Sequence, residues 1–119
     1  MFLFCTITLI CLLHHIFFHK QREITVTFQY QDNGQKGEFF QLNEQGQRIA
    51  EISYVWRDEH TIVANHTWVD DSLRGQGVAR VLLDTLVAFA REKQLKIVPT
   101  CSYVEVMFRR EPSFADVQA

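Results

Sequence analysis

Arg74-Gly75-Gln76-Gly77-Val78-Ala79 decides the fold of this chain, because a strand-like run leads into it and a long amphipathic helix leads out of it. Glycines at 75 and 77 let the backbone turn tightly and approach a ligand with no side chain in the way. The free amides of the first helical turn point at whatever sits there, and the helix dipole favours an anion at that end. Arg74 and Arg80 flank the turn and could neutralise a pyrophosphate. The predicted phosphate site is therefore Arg74, Gly75, Gln76, Gly77, Val78, Ala79 and Arg80.

Upstream of the turn the pattern is that of strands. Ile24, Val26 and Phe28 alternate with polar residues, Asp32-Asn33-Gly34 supplies a turn, and 37–42 reads as a second strand ended by Asn43-Glu44-Gln45-Gly46. Residues 48–56 form a predicted third strand with Ile49, Ile52 or Tyr54, and Trp56 inward, and 61–69 a fourth. Short turns between them make an antiparallel meander. At the glycine turn the period changes: Val78, Leu82, Leu86 and Ala90, with Leu83 and Val87 beside them, recur at three and four, and Arg91, Glu92 and Lys93 close the helix. A short fifth strand at 96–98 stops at Pro99, and a second helix over 102–110 stops before Pro112. The predicted class is α+β: a mixed sheet, antiparallel at its N-terminal end, followed by a βαβ unit and a C-terminal helix.

Spacing excludes two common phosphate loops. A P-loop needs Lys-Ser/Thr after its second glycine, where Val78-Ala79 stand here. A dinucleotide fingerprint needs a third small residue in GxGxxG and an acid at the end of the next strand, where this chain has Pro99-Thr100-Cys101. The pattern that fits is Arg/Gln-x-x-Gly-x-Gly/Ala, read as Arg74, Gly77 and Ala79. In this the segment resembles the acetyl-CoA pyrophosphate loop of the Gcn5-related N-acetyltransferases. The likeness runs on through the helix to Val98-Pro99-Thr100-Cys101-Ser102-Tyr103 and then Arg109-Arg110-Glu111-Pro112-Ser113-Phe114-Ala115-Asp116, and covers about residues 24–117. It is closest in kind to the small, single-domain branch of the family.

Length and composition agree with one compact domain. The chain has 119 residues, 47% hydrophobic and 13% aromatic, enough for one packed core. A net charge of -2 removes any global electrostatic case for nucleic acid. Cys5, Cys11 and Cys101 show no CxxC or zinc-ribbon spacing, so neither a disulfide framework nor a structural metal is expected, and a reducing, cytoplasmic setting is the default. Residues 1–21 stand apart as an apolar leader, against a domain at 22–119. Residues 2–18 approach the roughly 17–25 residues of a membrane span, with Lys20 and Arg22 beyond, but Thr6, Thr8, His14 and His15 oppose that reading. A weak membrane anchor, an upstream extension and a packed helix all remain open. The group Cys11, His14, His15 and His19 could ligate a metal on paper, but no carboxylate accompanies it.

Chemistry is expected at Cys101, which follows the fifth strand and precedes a helix, so its sulfur would lie near amides that favour a thiolate. In the family fold the fourth and fifth strands splay and the acyl end of acetyl-CoA lies in the opening. The resemblance thus implies that Cys101 faces the thioester and is a candidate nucleophile, forming an acetyl-cysteine before transfer to an amine. A buried structural cysteine is the alternative. His66, just ahead of the loop, could take a proton from Cys101 or from the amine, or could only hydrogen-bond in place. Val69 should offer backbone groups to the pantetheine arm, and Tyr103 either protonates the leaving thiolate or packs. Trp68 stands where relatives often carry a smaller or polar residue. The implied function is transfer of acetyl from acetyl-CoA, as co-substrate, to an amine acceptor; the alternative is a module that holds acetyl-CoA or CoA without transfer.

Overall fold

The computed structural model describes residues 28–119. Strands β1 (Gln29–Asp32), β2 (Lys36–Leu42), β3 (Arg48–Asp58) and β4 (Thr61–Val69) are followed by helix α1 (Val78–Lys93), strand β5 (Lys96–Pro99) and helix α2 (Ser102–Arg110). The predicted leader and the alternation at Ile24 and Val26 lie outside the described residues. Among the described residues no helix is long and apolar enough to cross a membrane.

Local chemistry sets the turns. In the β1–β2 turn the Asn33 side-chain oxygen accepts the amides of Gln35 and Lys36, both at 2.9 Å. Asn43 does the same for Gln45 and Gln47 before β3. The strands lie in the order β1-β2-β3-β4-β5, antiparallel up to β4, with β5 parallel to β4. The mixed sheet with a βαβ crossover is thus as the sequence predicts, and the second helix spans 102–110 as read.

One inward assignment is corrected. Gln41 pairs with Ala50 and Leu42 with Arg48, so Ile49 is the extra residue of a bulge. The bulge takes Ile49 out of the alternation, and Ala50, Ile52 and Tyr54, not Ile49, have 0% exposure. Trp56 stays on that face but only half-buried, at the sheet's end. All six apolar positions read on α1 are buried, and they pack with Val104, Phe108, Phe114 and Val117 from α2 and the following turn into one core. The 3-10 turn Pro112–Val117 has no counterpart in the sequence reading. It returns the chain to β5, where Gln118 bridges to Ile97.

A second crossing of side chains ties the meander together. Gly37 lies across the ladder from Tyr54, and a Cβ there would stand 2.3 Å from the Tyr54 hydroxyl and 2.4 Å from its ring. Freed of that obstacle, the phenol crosses β2 and donates to Asp32 at 2.6 Å, where the Trp56 indole also donates at 2.9 Å. Tyr30, Phe39, Trp56 and Phe89 surround it with ring centroids about 5 to 6 Å apart. Burial, and then the bonds to Asp32 and Tyr30, push the Tyr54 hydroxyl far above its ordinary value, so it is a permanent donor.

Candidate active site

The glycine turn adopts the backbone that its composition demands. Gly75 has φ 83° and Gly77 φ 74°, and no atom lies within 4 Å of where either Cβ would be. The first bond of α1 is Val81 N to Gly77 O at 3.2 Å, so the amides just ahead of Val81 open outward. They face a groove of about 320 Å³ lined by Val69, Arg74, Gly75, Gly77, Val78 and Ala79 of the predicted site, with Thr67, Trp68, Asp70, Leu73 and Tyr103. An unobstructed cradle of this kind fits a phosphate. Gln76 and Arg80 are not in that lining. The Gln76 amide reaches back to Ser72 O at 3.5 Å. The Arg80 guanidinium runs along the helix to Asp84 at 3.0 Å and faces Glu111 at 3.7 Å. Arg74 is solvent-exposed and paired with Asp71, a contact a phosphate could replace without loss to the fold.

β4 has two neighbours over only part of its length. The parallel ladder runs from Thr61–Lys96 to Ala64–Pro99 and stops. There the carbonyl of Ala64 accepts the amides of Thr100 and Cys101 at 3.1 and 2.9 Å and the Thr100 hydroxyl at 3.0 Å, which turns the chain away into α2. Asn65 is the extra residue between the Tyr54–Ala64 and Ser53–His66 pairs, a second bulge at this point. Beyond it, residues 66–69 pair with β3 alone, and a gap opens on the β5 side.

Alternation sorts the side chains at this gap. Thr67 pairs with the buried Ile52 and therefore shares the helix-covered face. Cys101, half-buried at the start of α2, donates its thiol to the Thr67 hydroxyl at 3.4 Å. His66 pairs with Ser53 on the opposite face, where its Nε2 lies 3.1 Å from Glu51 Oε2. The ladder thus brings Cys101 to Thr67 and the groove, and His66 to Glu51, on the two sides of one strand. Tyr103 lines the groove; burial pushes its phenol above the usual value against the opposing Arg80 charge, with Asp84 and Cys101 adding to the rise. Thr67 and Glu51 were not singled out in the sequence, because only the register that places the Asn65 bulge shows what they face.

A family model described as GCN5-related N-acetyl-transferase matches residues 39–117, and the chain belongs to that family. A GCN5-like protein from Staphylococcus aureus, solved by NMR in solution, is 35% identical, covers 79% of this chain and 88% of its own, and superposes with a TM-score of 0.64. Protein NATD1 of Xenopus tropicalis is 32% identical over 63 residues, 53% of this chain and 58% of that relative's length. The fold is also that of a family acetyltransferase from Elizabethkingia anophelis with acetyl-CoA bound, at 16% identity and a TM-score of 0.50 over 64% of this chain and 52% of that one.

Proposed function

We propose that this chain, through residues 22–119, is an N-acetyltransferase that takes acetyl from acetyl-CoA and passes it to a primary amine through Cys101. The observation that carries the reading is the continuity of the groove. It starts at the open glycine turn, where α1 amides await phosphate, and ends at Thr67, whose hydroxyl is 3.4 Å from the Cys101 sulfur. In the first half-reaction the Cys101 thiolate attacks the thioester carbonyl, an Sγ–C bond forms, and the C–S bond to CoA breaks. The proton lost from the Cys101 thiol ends on the departing CoA sulfur, and the Tyr103 phenol in the same groove is a hydrogen-bond donor for that sulfur. In the second, the amine attacks the acetyl-cysteine and the sulfur leaves.

Mass spectrometry of the whole protein after incubation with acetyl-CoA tests this. Wild type gains one acetyl group on Cys101 with release of one CoA; Cys101→Ala gains none and loses turnover while keeping its CoA affinity. Undiminished turnover in Cys101→Ala means that the amine attacks the thioester directly. CoA binding with no transfer to any amine supports a binding module instead.

A further inference from the structure

Thr67 meets the Cys101 sulfur but has no part in the transfer steps described above. The two side chains come from different elements, and the backbone places each of them. β4 holds Thr67 on the helix-covered face through its pairing with the buried Ile52 beyond the Asn65 bulge. Cys101 is held where the parallel ladder ends, because the Ala64 carbonyl accepts its amide at 2.9 Å, the Thr100 amide at 3.1 Å and the Thr100 hydroxyl at 3.0 Å. These bonds fix the approach of Sγ to the Thr67 hydroxyl, at 3.4 Å. Both residues are half-buried, where a bond to a charged atom is less screened than in water. Of the ionisable groups nearby, Tyr103 lies on α2 just past Cys101, and Arg80 and Asp84 of α1 act on its phenol. His66 and Glu51 stand on the other face of β4, and the end of β5, Val98 and Pro99, carries no ionisable side chain.

We infer that Thr67 is a positioning residue for Cys101, its one hydroxyl serving the sulfur in both protonation states. A hydroxyl carries one donor and two acceptor lone pairs, and its hydrogen rotates. While Cys101 is a thiol, the hydroxyl accepts from S–H. Once the sulfur ionises, the hydroxyl turns and donates to it, which stabilises the thiolate and holds it at the end of the groove. Thr67 keeps its own proton throughout. In the first half-reaction the thiolate attacks the thioester carbonyl, the C–S bond to CoA breaks, and the thiol's former proton ends on the CoA sulfur. In the second, the N–C bond forms, the bond from Sγ to the acetyl carbon breaks, and the same hydroxyl receives the negative charge returning to Sγ until the amine's proton reaches it. The inference rests on the transferase reading for these steps, but the ionisation of Cys101 is measured with no acetyl-CoA present.

The test uses the full chain with iodoacetamide as probe, and follows the alkylated Cys101 peptide by mass spectrometry so that Cys5 and Cys11 do not contribute. In wild type the rate should rise with pH to a plateau as the thiol ionises. Thr67→Val should move the midpoint of that rise up by about one to two pH units, the size of a hydrogen bond to a charged group. Alkylation should then be about 3- to 10-fold slower than wild type below both midpoints and faster on the alkaline plateau, because a more basic thiolate is the better nucleophile. Thr67→Ala, which adds no methyl against the sulfur, should repeat this result. Thr67→Ser, which keeps the hydroxyl, should restore the wild-type profile, and Cys101 acetylation at saturating acetyl-CoA should be slower in the valine and alanine variants and restored in the serine one. An unmoved midpoint in Thr67→Val and Thr67→Ala overturns the inference, as does a rate lowered at every pH, which marks a displaced cysteine, or a serine variant shifted as far as valine. A shifted midpoint in a chain whose Cys101 is never acetylated keeps the Thr67–Cys101 pair and overturns the transferase reading instead.

Discussion

Two glycines with matching backbones make a controlled test of the phosphate loop. Gly77 has φ 74° and Gly34 φ 91°, and neither has any atom within 4 Å of a built Cβ. Valine at either position meets no clash and pays only for the left-handed backbone, about 1–2 kcal/mol. Gly34→Val and Gly77→Val should therefore lower stability by similar amounts in urea and remain folded. They should part company on CoA. Position 34 lies in the β1–β2 turn, whereas position 77 lines the groove at the start of α1. A branched side chain there holds phosphate away from the helix amides, and the lost bonds to a charged group are worth about 1.5–3 kcal/mol. That corresponds to a roughly 10- to 150-fold rise in Kd for Gly77→Val by calorimetry, with Gly34→Val at wild-type affinity. Equal affinities in the two variants would remove the glycine turn from the CoA site.

Two further outcomes concern the far side of the sheet. Gly37→Ala puts a methyl 2.3 Å from the hydroxyl of a fully buried tyrosine, so the ring must leave its bond to Asp32; overpacking and that bond together should cost about 3 kcal/mol, read as a lower urea midpoint. An unchanged midpoint shows that Tyr54 can yield. Burial works to raise the Asp32 carboxyl, but the donors Tyr54, the Gly34 amide, Trp56 and Tyr30 outweigh it and hold the group below its ordinary range. Its contribution to stability is therefore complete above the unfolded value of about 3.9 and fades as pH falls through the lower folded value. The advantage of wild type over Asp32→Asn should be constant near neutral pH and shrink as pH falls below about 4, and a difference that stays constant into that acid range would show that the carboxylate charge contributes nothing.

How far the sequence could be read depended on the range of the interactions involved. Helix α2 is bounded by a cysteine turn and Pro112, both local, and its span was read residue for residue. The core face of α1 follows from spacing alone. The glycine turn was legible because a positive φ is a property of two residues, not of their neighbours. What failed was whatever hangs on pairing between distant strands. The bulge at Ile49 takes that one residue out of the inward set of β3, which otherwise runs Ala50, Ile52, Tyr54 and Trp56. The bulge at Asn65 fixes which of His66 and Thr67 faces the groove, so Thr67 went unnoticed and His66 was considered as a partner for Cys101. Arg80 shows the same limit at a single side chain: its position in the loop and its i,i+4 pair with Asp84 are local, but its approach to Glu111 is not.

The placement of the two tryptophans gives the molecule a pair of built-in optical reporters. Trp56 is bonded to Asp32 and edge-on to Tyr54, so its emission follows the integrity of the aromatic layer. Trp68 faces water beside the gap in the sheet, so its emission follows what arrives there. Replacing one by phenylalanine leaves the other as a single fluorophore. A Trp68→Phe chain would then report unfolding alone and a Trp56→Phe chain would report occupancy, which separates stability from ligand binding without any added dye.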